Sequence, residues 1–132
     1  MAYLLDTNII SDIVRNPQGM AAKRAAAMGE EDICTSIIVA AELRYGATKK
    51  ASPKLTAQLE AVLGALAVIP FESPSDVVYG KIRSRLETIG KPIGSNDLLI
   101  AAQAVALRLT IVTDNDAEFA RIDGLGRENW LY

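Results

Sequence analysis

Four acidic positions carry the chemistry that this sequence can support. They are Asp6, Glu42, Asp97 and the Asp-Asn-Asp turn at 114–116. The chain has 132 residues, no histidine and one cysteine, Cys34. Imidazole general bases, Ser-His-Asp and Cys-His nucleophiles, zinc sites with His ligands and an intrachain disulfide are therefore excluded. Any catalysis has to use carboxylates, hydroxyls, amines or a metal ion that these groups hold.

Each of these positions also has an ordinary structural role. Asp6 directly follows an apolar run, where it could cap a helix, but this is also where ligands bind in open α/β sheets. Glu42 shares a helical face with Ile38 and Tyr45 and so interrupts an apolar stripe. Such a carboxylate needs a partner, a proton or a metal ion, and an ion pair elsewhere in the fold is the alternative.

The remaining acidic positions are ordinary when each is taken alone. Asp97 falls in the first turn of an apolar helical pattern, where backbone N–H groups favour negative charge. Asp114 and Asp116 follow a strand, where a solvated loop is common. If the strands are parallel, however, all four positions face one edge of the sheet. Carboxylates that converge there would repel one another unless a cation neutralised them.

Hard oxygen ligands without imidazole or thiolate clusters favour Mg²⁺, with Mn²⁺ as a possible substitute. Such an ion can lower the pKa of a bound water molecule and hold phosphate oxygens for in-line attack. The acidic positions therefore predict a metal site that could hydrolyse phosphodiester bonds.

The elements that must position these residues alternate between short apolar runs and longer helical patterns, which is typical of a parallel α/β sheet. The predicted strands lie at 2–5, 32–35, 68–71 and 110–113, with a further short edge strand near residue 130. The predicted helices lie at 7–14, 17–28, 37–49, from 53 onwards, 75–89 and 97–107. The segment after residue 116 is expected to be largely irregular. The length suits one domain over 1–132, and we expect an α/β/α sandwich with four or five parallel strands.

The charge distribution is uneven although the net charge is only −2. Residues 44–91 carry eight basic and four acidic side chains, whereas each flanking segment carries three basic and six acidic ones. A basic middle could flank an acidic metal site and bind a phosphate backbone, although solvated helix faces explain single charges as well. The candidates for contact with a phosphate backbone include Arg44, Lys49, Lys50, Lys81 and Arg85.

The sequence also allows a prediction of the cellular compartment, from its amino terminus and its apolar stretches. Its amino terminus lacks a basic region, and the first apolar run is broken at Asp6, so it does not read as a signal peptide. The longest apolar stretch, 98–112, is interrupted by Gln103 and Arg108 and falls short of the roughly 20 residues of a membrane span. We expect a soluble cytoplasmic protein without a membrane segment.

Taken in order, these motifs resemble PIN-domain proteins, and in detail the VapC-type toxins of bacterial toxin–antitoxin pairs. The segments that carry the resemblance are LLDTNI at 4–9, AELRYG at 41–46, IGSND at 93–97, IAA at 100–102, VTDN at 112–115 and Glu118-Phe119. They span nearly the whole chain. The resemblance implies a three-layer PIN-like fold and a Mg²⁺-dependent endoribonuclease. It further implies an antitoxin that masks the site with a peptide, and self-association as a homodimer or a toxin–antitoxin hetero-oligomer.

By the same resemblance, Asp6 and Asp97 would be metal ligands, and Glu42 a further acidic ligand or the activator of the attacking water. Thr113 and Asn8 would be supporting polar groups.

The fourth acidic position departs from the family pattern. Many members place an acidic residue two positions after the threonine, where this sequence has Asn115. We expect Asp116 to supply the carboxylate instead, with Asn115 supporting the site through its amide.

Two other classes of function compete with a nuclease. A non-catalytic PIN-like module would bind RNA or protein without cleavage, but Asp6, Glu42 and Asp97 are all present. A phosphoaspartate phosphatase would need a second aspartate where Asn8 stands, and a receiver domain would need a lysine after the last strand. A catalytic PIN domain is therefore the favoured hypothesis.

Overall fold

The computed structural model describes residues 2–132, which contain five strands and seven α-helices. The strands are β1 (Tyr3–Leu5), β2 (Ile33–Ser36), β3 (Ala67–Ile69), β4 (Thr110–Val112) and β5 (Arg127–Glu128). The helices are α1 (Thr7–Arg15), α2 (Met20–Ala27), α3 (Ile37–Lys50), α4 (Pro53–Gly64), α5 (Ser75–Thr88), α6 (Ser95–Ala106) and α7 (Asp116–Phe119). A 3₁₀ turn, Glu30–Asp32, precedes β2.

The strands form one parallel sheet in the order β3-β2-β1-β4-β5. From β1 the chain proceeds outward to β2 and β3, then returns to the other side of β1 to form β4 and β5. The strand order therefore reverses between β1 and β4. In open α/β sheets ligands bind outside the carboxyl ends of the strands at this switch point.

The helices cover both faces of the sheet, as expected for an α/β/α sandwich. Right-handed crossovers place α1 to α4 on one face, and the return connection places α5 and α6 on the other. Within the first group α1 packs against α2, α3 and α4, while α5 and α6 pack against each other. This confirms the predicted fold class and gives the sheet five strands.

The core explains why the central elements are so apolar. Leu4, Leu5, Ile111 and Val112 of the two central strands are fully buried, because helices cover both sides of these strands. Helix α6 is buried from Ile100 to Ala104, consistent with a helix that is apolar around most of its circumference.

Two local expectations were wrong. Helix α2 begins at Met20 rather than at Pro17, because residues 17–19 form a turn and Gly19 takes the N-cap position. The segment after residue 116 contains α7, which is only four residues long and leaves no periodic pattern in the sequence. The short edge strand predicted near residue 130 is confirmed as β5, which lies at Arg127–Glu128. In the described part of the chain, no helix has the length and apolar character needed to cross a membrane.

Candidate active site

Asp6 lies at the switch point, where β1 ends and α1 begins. It is the N-cap of α1, and its backbone N–H donates to Val112 O of β4 at 2.9 Å. The side chain is only 2% exposed. Its Oδ1 accepts from Thr7 N at 2.8 Å, and its Oδ2 accepts from the Thr113 hydroxyl at 2.7 Å. The two roles considered for Asp6 are therefore compatible, since it caps a helix and also occupies the candidate site.

The environment of Asp6 resists its ionisation. Burial raises its pKa, and the nearby Glu42 carboxylate adds to the increase, whereas the hydrogen bonds from Thr113 and Thr7 oppose it. A carboxylate that is desolvated and faces another carboxylate is stabilised by a cation.

Glu42 reaches the same region from α3. Ser36, which ends β2, caps this helix by accepting from Ile38 N at 2.9 Å, and Glu42 follows in its second turn. The Thr7 hydroxyl donates to Glu42 Oε1 at 2.9 Å. Glu42 is half-buried. Its partner is thus a hydroxyl beside Asp6 rather than a basic residue, so the alternative of an ion pair does not apply.

Asp97 approaches from the opposite face of the sheet, in the first turn of α6. It is half-buried, and its pKa is raised to about 7. Desolvation is the largest cause, followed by a hydrogen bond with the Glu118 carboxyl group and by the negative charges of Asp6, Glu118 and Glu42. Four carboxyl groups from α1, α3, α6 and α7 therefore interact electrostatically at one edge of the sheet.

The carboxyl group nearest to Asp97 is Glu118 of α7. The Asn115 amide links the two, because its Nδ2 donates to Asp97 Oδ2 at 3.2 Å and to Glu118 Oε2 at 2.9 Å. The Asn115 backbone N–H in turn donates to Thr113 Oγ1 at 2.9 Å. The hydrogen bond with Asp97 lowers the pKa of Glu118, and the Asn115 amide and the Arg121 charge act in the same direction. Asn115 thus has the supporting position expected from the sequence.

The structure does not bring Asp116 into contact with these groups. Its Oδ1 accepts from Arg127 Nε at 2.6 Å, and the carboxylate is 65% exposed. Helix α7 begins at Asp116, and Glu118 lies on the side of this short helix that faces Asp97. The structure therefore places Glu118, and not Asp116, beside Asp97.

A local signal could have identified Glu118. Asn115 and Glu118 are three residues apart, the spacing that places two side chains on one helical face. The next residue, Phe119, is fully buried and fixes the orientation of the turn. Helix α7 has only four residues and so leaves no periodic pattern in the sequence. The sequence therefore predicts an irregular segment at this place.

Asn8 contacts the loop after β4 through its side chain. Its Oδ1 accepts from Asp114 N at 3.0 Å, and Asp114 Oδ1 accepts from Asn129 at 2.9 Å. These bonds join the start of α1 to the loop after β4. Asn8 therefore has a supporting position, while the Asp114 carboxylate is directed to the tail of the chain.

The basic residues proposed for RNA contact divide into two groups. Two are ion-paired, Arg44 with Glu60 at 2.9 Å and Arg85 with Asp123. The other three make no ion pair to any group in residues 2–132, and they are Lys49, Lys50 and Lys81. An ion-paired side chain must give up its partner to bind a phosphate, so the unpaired lysines are the stronger candidates.

The donor set suits a hard divalent cation. The groups that converge are carboxylates, one carboxamide and two threonine hydroxyls. Each of them has an oxygen atom, the ligand type that a hard cation prefers. No three acidic or thiol side chains of the described residues stand in a ready ligand geometry. Mg²⁺ does not require one, because it usually keeps several waters and binds one or two protein carboxylates. Asp6 and Asp97, on opposite sides of the switch point, could supply these two.

Comparison with known proteins identifies the family of this chain. The family model described as "PIN domain" matches residues 3–125. The protein named Ribonuclease VapC2 from Rickettsia felis is 40% identical over 132 residues, which cover 98% of both chains. The tRNA(fMet)-specific endonuclease VapC of Shigella flexneri is 32% identical over 131 residues, again with 98% of each chain covered.

Solved structures agree with these relatives. A crystal structure of VapBC2 from Rickettsia felis, bound to a DNA fragment from their promoter, contains a chain that superposes with a TM-score of 0.89 and 37% identity. The match covers 98% of this chain and 99% of that one. The similarity therefore includes the whole sheet and every element that positions the candidate site.

Proposed function

The chain belongs to the PIN-domain family, in its VapC ribonuclease group, and we propose that it is a Mg²⁺-dependent endoribonuclease that acts as the toxin of a toxin–antitoxin pair. One observation carries the metal-dependent part of this proposal. Partial burial raises the pKa of Asp97 to about 7, together with the Glu118 hydrogen bond and the negative charges of Asp6, Glu118 and Glu42. Such an arrangement destabilises the metal-free site, which is acceptable when a cation neutralises it.

The side chains of the site divide the work of hydrolysis. Asp6 and Asp97 would hold the ion, and Mn²⁺ could replace Mg²⁺. When bound, the ion supplies a water of lowered pKa and charge stabilisation for the phosphate oxygens. Glu42 would take a proton from the attacking water through Oε2, since Thr7 already engages Oε1. Asn115 keeps Asp97 and Glu118 together and leaves their remaining lone pairs available.

The test is an RNA cleavage assay with purified protein in the presence of Mg²⁺, Mn²⁺ or a chelator. We expect cleavage with either ion and none with the chelator. Asp6→Asn and Asp97→Asn should each reduce cleavage by more than about 100-fold while keeping the fold, because loss of a ligand exceeds the 10–100-fold effect of losing a supporting partner. Circular dichroism checks that the variants are folded. Cleavage that persists in the chelator, or in either variant, would contradict the site.

The first substrate to test is initiator tRNA. Two named relatives act on tRNA(fMet), and each is 32% identical to this chain over 131 residues. Single-stranded loops are the parts of an RNA that expose bases and backbone to a protein site, so we expect the cut in a loop rather than in a stem. A panel with elongator tRNA, ribosomal RNA and a messenger fragment would show whether the preference is specific.

An antitoxin partner is supported by the solved complexes. The similar chain from Rickettsia felis was crystallised as part of VapBC2 on promoter DNA. We therefore expect this chain to bind the product of a short adjacent reading frame and to self-associate within the complex. Co-expression of that product should relieve the growth arrest caused by this chain, and no relief from any neighbouring frame would argue for a stand-alone nuclease.

A further inference from the structure

A groove of about 250 Å³ runs away from the candidate site between α1, α3 and α4. One wall is a face of α1 that carries Thr7, Ser11 and Arg15 at intervals of four residues. The other wall is a face of α3 with the same spacing. It carries Glu42, Gly46 and Lys50.

The two ends of the groove differ in charge. At one end the hydrogen bond from Thr7 to Glu42 joins the groove to the carboxylate cluster. At the other end stand Arg15 and Lys50, the last residues of their helices. Eight residues of α-helix separate the ends, a distance of about 12 Å. The groove therefore leads from the hydrolytic groups to a pair of cations.

Both cations are free to bind an anion. Neither Arg15 nor Lys50 makes an ion pair with any side chain in the described range, and both are exposed. The single hydrogen bond of the Arg15 side chain goes from Nε to Ser11 O at 3.3 Å, which leaves its terminal nitrogens available. Five of the other arginines, by contrast, are ion-paired.

Gly46 keeps the middle of the groove open. It lies inside α3, where glycine is less stable than alanine. A Cβ added there would meet no described atom within 4 Å beyond its own helix, so packing within the chain does not require the glycine. Glycine also occurs where a ligand approaches a backbone closely, and that explanation fits a position midway between the cluster and the cations.

We propose that this groove binds the RNA strand beside the scissile bond, with Arg15 and Lys50 holding a neighbouring phosphate and the strand passing over Gly46. This inference rests on the proposed ribonuclease function and adds the path of the substrate. The charge favours RNA as the occupant, because two unpaired cations on opposite walls match a phosphate that continues from the hydrolytic site.

The test separates RNA binding from cleavage. Labelled initiator tRNA and a single-stranded RNA of mixed sequence are titrated with the protein in chelator, where the proposed function predicts no cut. Replacing both Arg15 and Lys50 by glutamine should raise Kd roughly tenfold. The slope of log Kd against log salt concentration should fall by about 0.7 for each cation removed. With Mg²⁺, KM should rise while kcat stays near that of the wild type.

Two further variants control for structure and for general charge. Lys23→Gln removes the same charge from an exposed side chain of α2 that lies outside the groove, so Kd should change less than about twofold. Gly46→Leu should keep or raise the melting temperature, because leucine favours helices, and yet weaken RNA binding. If Gly46 had only a structural role, Gly46→Leu would lower the melting temperature, and its RNA binding would not weaken independently of its stability.

Several outcomes would overturn the proposal. They are unchanged RNA affinity in the double variant and in Gly46→Leu, an equal loss of RNA affinity in Lys23→Gln, or loss of antitoxin binding by the double variant with RNA affinity intact. The last result would assign the groove to a peptide. A wild-type protein that binds neither RNA also overturns the path, whereas a wild type that binds RNA but does not cleave it contradicts only the proposed function.

Discussion

The Thr113 hydroxyl donates to Asp6 Oδ2 at 2.7 Å and joins the loop after β4 to the end of β1. The hydroxyl oxygen of Thr113 in turn accepts from Asn115 N at 2.9 Å. Thr113 is 1% exposed, so its hydroxyl is shielded from solvent. One buried hydroxyl therefore orients Asp6 and begins the segment that carries Asn115 and Glu118.

Replacing Thr113 by valine should impair the site while preserving its shape. We expect a loss of cleavage of about 10–100-fold, as is typical when a partner of a metal ligand is removed. The free energy of unfolding should fall by about 1–3 kcal/mol, since buried polar groups lose their partners. Thr113→Ser keeps the hydroxyl and should restore most of the activity. If valine and serine behaved alike, the hydroxyl would not be what matters.

Substitutions of Glu118 and Asp116 should have different effects on the cleavage rate, although the two residues are only two positions apart. Glu118→Gln removes a charge beside Asp97 and should reduce cleavage by about 10–100-fold. Asp116→Asn breaks only an exposed ion pair with Arg127 and should change the rate less than about twofold. Steady-state cleavage of both variants decides between the two carboxylates, and the reverse result would restore the assignment made from sequence.

The sequence predicted the residues at strand ends better than those in short turns. Asp6 and Thr113 each follow a buried apolar run, and a parallel sheet necessarily brings such positions to one edge. Glu42 was recognisable because a carboxylate interrupts an apolar face of a long helix. In each case a regular element longer than one turn carried the information.

Glu118 was missed because local sequence does not determine the orientation of a four-residue helix. Its position depends on the burial of Phe119 and on the Asn115 amide, which are tertiary contacts. The start of α2 was misjudged for a related reason. Proline is common in the first turn of a helix, but Pro17 lies in the turn that precedes Gly19.

The metal-free protein should lose stability as the pH rises. The pKa of Asp97 is raised from the ordinary value of 3.8 to about 7, first by desolvation. The folded chain thus binds a proton in this window that the unfolded chain has released, which favours folding at the lower pH. The raised pKa of Asp6 acts in the same direction. We expect the melting temperature in chelator to fall between about pH 5 and about pH 7.

Mg²⁺ should reverse this loss, because it binds the deprotonated carboxylates of the folded state. The increase in melting temperature on adding Mg²⁺ should be largest above pH 7 and should vanish toward about pH 5. Asp97→Asn should flatten the pH dependence in chelator and remove the Mg²⁺ effect. A stabilisation by Mg²⁺ that did not depend on pH would contradict binding at these carboxylates.

The last prediction concerns Gln103, a residue of the core that connects the two faces of the sandwich. It is fully buried on α6, accepts from the Ser36 hydroxyl at the start of α3, and donates from Nε2 to Pro70 O at 3.0 Å. Helices α3 and α6 carry Glu42 and Asp97, so this side chain fixes the two halves of the site relative to each other.

Gln103→Met keeps the volume but leaves the Ser36 hydroxyl and the Pro70 carbonyl without their partner. Each unsatisfied group costs about 1–3 kcal/mol, so urea denaturation should show a loss of about 2–6 kcal/mol. Gln58→Met makes the same chemical change on the exposed face of α4 and should alter stability by less than about 0.5 kcal/mol. If the folded Gln103→Met protein also cleaves RNA more slowly at saturating Mg²⁺, the network positions the catalytic carboxylates. If its rate equals that of the wild type, the network contributes to stability alone.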